Sequence, residues 1–197
     1  MDTNKNARHI VVICRGQFCE LFHEMSYFLN LLAPYGDYFD VIDSKNRPLL
    51  DEREIYANLK AILADADNTP PSDVAKSAVG VLTTENRKQW AQLRRTLESN
   101  STNRQCLSVV DGALLVVCLD DASPEGPAEM CTNFLCGTYQ LTKTGPGSAG
   151  STVQTGTCTN RWYDKLQIIV CANGAAGINF EVSIFVRLLS DPTLTDL

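Results

Sequence analysis

The sequence has no long apolar run, and nothing in its 197 residues approaches the ~20 apolar positions that a membrane-spanning helix needs. Positive charge is also scarce. Seventeen Lys and Arg stand against 23 Asp and Glu, for a formal net charge of −6 and a pI near 4.9. That balance steers the chain toward neither nucleic acid nor an anionic lipid surface. Residues 1–6 are polar, with no apolar signal segment and no Arg-rich amphipathic presequence. Residues 195–197 are not a peroxisomal tripeptide. As written, the chain is expected in the cytoplasm. There is no internal repeat, and no G-x-S-x-G or similar signature offers a Ser or Cys nucleophile. Histidine is limited to His9 and His23, neither in a recognisable catalytic motif.

Cysteine is plentiful, with eight residues. Cys14, Cys118 and Cys171 lie inside apolar segments, where a free thiol behaves as a small core hydrophobe. Cys14/Cys19 and Cys131/Cys136 are spaced C-x4-C, but no nearby His completes a zinc set. Core thiols are therefore expected in preference to a disulfide framework or a metal centre.

What is present reads as α/β. Residues 9–14 (HIVVIC) and 38–42 (YFDVI) are strands by composition. Asp51 with Glu54 forms a capping box, and Ile55, Leu59, Ile62 and Leu63 then recur at helical spacing to about Ala66. Residues 68–73 contain Pro70-Pro71 and are a loop. Residues 79–82 read as a brief strand, and Thr83 or Thr84 as the cap of a helix bearing Trp90, Leu93, Arg94 and Leu97 on one side. A helix over 103–111 leads into a buried strand over 113–119, and a short helix over 128–136 into a Gly/Ser/Thr-rich loop to about Thr159. Residues 166–171 and 176–181 flank Asn173-Gly174, a strong hairpin-turn signal.

Three letter-level motifs carry little weight. Residues 145–150 fit G-x-G-x-x-G, but no helix pattern follows to supply the amide-lined phosphate site. Asn100-Ser101-Thr102 is a glycosylation sequon without a secretory context. Asp120-Asp121 suggests paired metal ligands, yet adjacent carboxylates on a strand point to opposite faces. A strand-end turn is the expected role.

Several blocks in order resemble the choline/carnitine acyltransferase family. They are His9-Ile10-Val11-Val12 with Arg15-Gly16-Gln17-Phe18, then Tyr38-Phe39-Asp40-Val41. Residues 79–84 follow, with Arg87, Trp90, Ala91, Arg94 and Leu97, and then residues 115–121. The most specific block is Asn160-Arg161-Trp162-Tyr163-Asp164-Lys165, running on through 166–170 and 174–181. The resemblance is nearest to fungal-type carnitine O-acetyltransferases. It implies a CoA-dependent acyltransferase fold, a mixed sheet with flanking helices, present here in part over residues 8–181. It further implies acyl transfer between acyl-CoA and carnitine, with a histidine as general base.

In the family that histidine directly follows the glutamate ending this hairpin, but here Glu181 is followed by Val182. The resemblance therefore yields no catalytic residue, no cofactor-binding residue, no metal ligand and no bound cofactor for this chain. The expectation is an inactive fragment truncated at that hairpin, with a non-catalytic partner-binding module as the alternative. Such a fragment is expected to expose an apolar face open to association. Family members are often mitochondrial or peroxisomal. Residues 19–37 form an atypical insert, with Leu21, Phe22, Met25, Phe28, Leu29 and Leu32 at helical spacing, and residues 182–197 a tail that matches nothing. Val182-Ser183 and Cys19-Glu20 can both be encoded by splice-donor-like codons, so translated intron is the expected origin of each.

Overall fold

The structure is a computed structural model that describes residues 6–16, 38–68, 74, 78–144 and 151–180. In chain order its elements are β1 (His9–Cys14), β2 (Tyr38–Asp40), α1 (Glu52–Ala66), α2 (Arg87–Leu97) and α3 (Ser101–Gly112). Then come β3 (Val116–Asp120), α4 (Pro127–Leu135), β4 (Gln140–Thr144), β5 (Ser151–Thr155), β6 (Gln167–Cys171) and β7 (Ala176–Asn179). Five strands form one sheet in the order β2-β1-β3-β6-β7. The inner strands β1, β3 and β6 are parallel, and β2 and β7 close the edges antiparallel. This is the expected mixed sheet with flanking helices.

Side-chain alternation divides the core in two. Val11, Ile13, Val116, Cys118 and Ile169 face Trp90 of α2 and Leu107 and Val110 of α3. Ile10, Val12, Cys14 and Val117 face Ile62 and Ala66 of α1, with Leu59 beside them. Each fully buried aliphatic side chain contributes about 1.5–3 kcal/mol, so β1 and β3, buried on both faces, anchor the sheet. The three core cysteines, Cys14, Cys118 and Cys171, are buried and form no disulfide. α1 starts where its sequence demands. The Asp51 side chain accepts from the backbone N–H of Arg53 and Glu54, and the Glu54 carboxylate accepts from Asp51 N–H.

Several expectations need correction. Residues 79–82 are not a strand but part of a 3₁₀ helix, Val79–Thr84. Among the described residues they pair with no strand. Thr83 and Thr84 instead turn their hydroxyls back to donate to the carbonyls of Gly80 and Val81. Neither threonine caps α2, because Asn86 does, accepting from Gln89 N–H. The strand expected over 113–119 is narrower, Val116–Asp120, because Leu114 N–H instead bonds His9 O at the base of β1. The strand at 38–42 ends at Asp40, and Ile42 makes only an isolated bridge to Pro48.

The expected Gly/Ser/Thr-rich loop contains the β4–β5 hairpin and a 3₁₀ turn, Thr157–Asn160. Its threonine-rich strands bury so little apolar surface that composition hides them. The insert at 19–37, the tail at 182–197, His23 and the 145–150 motif lie outside the described residues. Among the described residues, no helix is long and apolar enough to cross a membrane.

Candidate functional site

The carboxyl ends of β1, β3 and β6 converge on a buried polar cluster. β3 ends in Asp120, whose alternation turns its carboxylate inward toward α4. Arg161, just beyond the 3₁₀ turn, meets it in a two-pronged pair: Nη1 donates to Oδ1 at 3.0 Å and Nη2 to Oδ2 at 2.8 Å. Both side chains have no solvent exposure. Arg161 Nη2 also donates to Asn133 O at 2.8 Å, in the last turn of α4.

Asn133 Nδ2 donates to Asp120 Oδ2 at 2.9 Å and Asn160 Nδ2 to Leu119 O at 2.9 Å. Asn160 Oδ1 accepts from Gly16 N–H at 2.6 Å, which ties the end of β1 to the same cluster. Gly16 has φ +70, and a Cβ there would stand 3.0 Å from Val74 O, so the turn after β1 favours glycine on both counts.

A buried pair of this kind survives only when its remaining valences are met. Burial works against the Arg161 charge, but Asp120 outweighs it and holds the guanidinium pKa above its ordinary value. Cys118, beside the pair, has its thiol pushed up to about 12 by burial, which makes it an inert core group rather than a nucleophile. Burial likewise raises Tyr163 to about 12, and its hydroxyl donates to Cys136 O. Arg161 Nε and Gln167 Nε2 are buried without a partner among the described residues. Among the described residues, the cluster thus keeps its thiol and the neighbouring phenol protonated rather than activated. It fixes how α4, β3 and the segment entering β6 sit together.

The rest of the Asn160–Lys165 block is spent on the same docking. Trp162 packs edge-on against Trp90 with ring centroids 6.0 Å apart. Trp90 Nε1–H and Arg87 Nη1 both donate to Asp164 at 2.5 Å. Lys165 Nζ donates to Asp111 O at 2.6 Å at the end of α3. Behind α4, Asn179 Nδ2 donates to Phe134 O and Leu135 O, and Gly177 lets the Phe134 ring lie directly on β7. A shallow open pocket of about 390 Å³ lies beside the cluster, lined by Ser123, Pro124, Glu129, Thr132, Asn133 and Thr138.

Each residue weighed in the sequence now has a place. Asp120 and Asp121 do diverge, Asp120 into the cluster and Asp121 outward to Arg15 Nε at 3.0 Å, but Asp120 closes the strand rather than forming a turn. His9 Nε2 lies 2.8 Å from Val109 O and its ring packs edge-on against Tyr38. Asn100 is the N-cap of α3, its side chain accepting from Thr102 and Asn103 N–H. Sequence reasoning missed the Asp120–Arg161 pair. The alternation that separates Asp120 from Asp121 was the signal that could have found its acidic half.

The architecture is that of an α/β acyltransferase domain, present in part. The family model for choline/carnitine O-acyltransferases matches residues 1–185, and the chain belongs to that family. It is 37% identical over 187 residues to a putative mitochondrial carnitine O-acetyltransferase of Saccharomyces cerevisiae, covering 92% of this chain and 24% of that protein. It is 31% identical over 182 residues to human mitochondrial carnitine O-palmitoyltransferase 2, covering 92% of this chain and 21% of that protein. A third relative, choline O-acetyltransferase of Drosophila melanogaster, is 30% identical over 192 residues, covering 91% and 23%. The chain thus spans between a fifth and a quarter of the length of these relatives.

Proposed function

We propose that this chain is a portion of a carnitine O-acetyltransferase-like enzyme, whose whole protein moves an acyl group reversibly between acyl-CoA and carnitine. The observation that carries this reading is the 37% identity to the yeast carnitine O-acetyltransferase along 92% of the chain. The yeast and human relatives are mitochondrial by name, so a mitochondrial whole protein is part of the proposal, in place of the cytoplasmic address read from residues 1–6. The chain by itself is proposed to be inactive. His9 is committed to Val109 O and the edge of Tyr38, which leaves it poorly placed to act as a base. Loss of a general base costs about 10²–10⁴-fold in rate.

The test is to incubate the purified chain with acetyl-CoA and carnitine and measure acetylcarnitine by mass spectrometry. Product at the level of the blank is expected, and product that disappears in His9→Ala would overturn inactivity. Sequencing the transcript across the Glu181 and Val182 codons tests the parent enzyme. A histidine codon joined directly to Glu181 supports it, whereas a transcript that reads as the chain does favours the second reading.

That second reading is a non-catalytic module that binds a protein partner. It is favoured by the α1 side of the sheet, where, among the described residues, α1 packs on β1 and β3. Over β6 and β7 the apolar row stays open, with Ile178 60% and Phe180 43% exposed. An evolved module should purify as a monodisperse, cooperatively melting species, and a bare fragment should aggregate.

A further inference from the structure

The β6–β7 turn is built around Asn173-Gly174, and this dipeptide has chemistry beyond its turn geometry. An asparagine followed by glycine is the sequence most open to spontaneous deamidation, because glycine leaves the attacking amide nitrogen unhindered. Gly174 has φ +82, and no atom beyond its two chain neighbours lies within 4 Å of where its Cβ would stand. Asn173 is exposed, so water and base reach it freely.

The folded turn engages both reacting groups in hydrogen bonds. Gly174 N–H, which must lose its proton and attack the Asn173 side-chain carbon, is bonded to Cys171 O at 2.9 Å. The carboxamide is clamped at both ends, with Oδ1 accepting from Ala175 N–H at 3.1 Å and Nδ2 donating to Pro124 O at 2.9 Å. One further bond, Ala172 N–H to Ala122 O at 3.0 Å, docks the turn onto the segment after β3. That segment lines the pocket beside the Asp120–Arg161 cluster.

The geometry points to Asn173 as a deamidation site gated by this turn, with a product that cannot restore the turn's bond to Pro124. In the opened turn, base removes the Gly174 amide proton and the nitrogen attacks Asn173 Cγ. The Cγ–Nδ2 bond breaks and ammonia leaves, closing a five-membered imide. Water then opens the ring to aspartate or isoaspartate at 173, so that one carboxamide and one water become one carboxylate and one ammonium ion. No oxidant or enzyme is needed. The formal charge of −6 becomes one unit more negative. The donor that reached Pro124 O is replaced by a carboxylate oxygen facing a carbonyl oxygen, and the two repel. The turn recloses on its product without the bond that docked the side chain onto Pro124.

The test follows the one-dalton mass gain at the peptide containing residue 173 during incubation in mildly alkaline buffer. The folded chain should gain it at least about tenfold more slowly than the same chain held in denaturant, as expected when modification requires local opening. Asn173→Gln should show no gain at this position in either state. In Asn173→Asp, the Ala172 amide should exchange with deuterium faster than in the unaltered chain. Equal rates in folded and denatured chain, no gain in the denatured chain, or unchanged Ala172 exchange in Asn173→Asp would each overturn the proposal.

Discussion

Asp120 and Asp121 are neighbours in sequence and each pairs with an arginine, at 2.8 Å and 3.0 Å. By distance the two bridges are alike, but their surroundings differ. Asp120 and Arg161 are wholly buried, whereas Asp121 and Arg15 have side chains 62% and 28% exposed. Water screens the outer pair and replaces either partner at little cost. Nothing replaces a partner of the inner pair, so its loss strands a buried charge. Burial, more than separation, decides what an ion pair contributes.

The largest expected effect comes from removing half of the inner pair. Arg161→Leu should destabilise the chain by about 3–5 kcal/mol, or leave it unable to fold, as read by chemical denaturation. Replacing both partners, Asp120→Leu with Arg161→Met, should recover part of the loss and not all of it. Asn133 Nδ2 and Asn160 Nδ2 both donate to Asp120, at 2.9 Å and 3.3 Å, and would keep unmet donors. Full recovery in the double variant would show that the asparagines are bystanders.

The next test presses on the same arginine through its backbone. A Cβ at Gly80 would stand 1.9 Å from the Arg161 carbonyl oxygen, so Gly80→Ala must displace one segment. Overpacking of this kind costs about 1–3 kcal/mol, and thermal melting should register it. A variant that melts with the unaltered chain would mean that the contact yields without strain.

These two contacts mark the limit of what the sequence alone makes legible. β1, the α1 capping box and the β6–β7 hairpin were readable because each rests on neighbours in sequence: a β-branched run, Asp51 with Glu54, and Asn-Gly between two apolar strands. Residues 79–84 misled for the same reason. Their composition is that of a strand, but their conformation answers to Arg161 and Trp162, about eighty positions away, against which Gly80 packs. The β4–β5 hairpin was hidden because Leu141 is its largest apolar residue and is 59% exposed, leaving no alternation to read. The family resemblance located the Asn160–Lys165 block but gave no partner for Arg161, since Asp120 lies 41 residues upstream.

A smaller effect is expected from alkali. Burial raises the Cys118 thiol from 9.0 and the Tyr163 phenol from 10.0, each to about 12. Both groups bind their protons more tightly folded than unfolded, so their contribution is complete below the unfolded values. It is lost as pH climbs from about 9 toward 12. Melting temperature should fall across that window, and Tyr163→Phe should remove the part of the fall that begins near 10. A flat profile over this range would show that the two groups ionise alike in the folded and unfolded chain.

The smallest effect should come from the outer pair, and it makes the sharpest use of the comparison. Asp121→Ala removes a bond of nearly the same length as the inner one, yet should cost no more than about 1 kcal/mol. Arg15 keeps Asp67 at 2.8 Å, so its charge is never left alone. The residual effect should shrink as salt is added, because exposed charges are screened over about 10 Å at moderate ionic strength, while the Arg161→Leu effect should not. If Asp121→Ala matched Arg161→Leu in size and ignored salt, the carboxyl end of β3 would act as one coupled unit. The division between its inner and outer aspartates would then be one of geometry and not of energy.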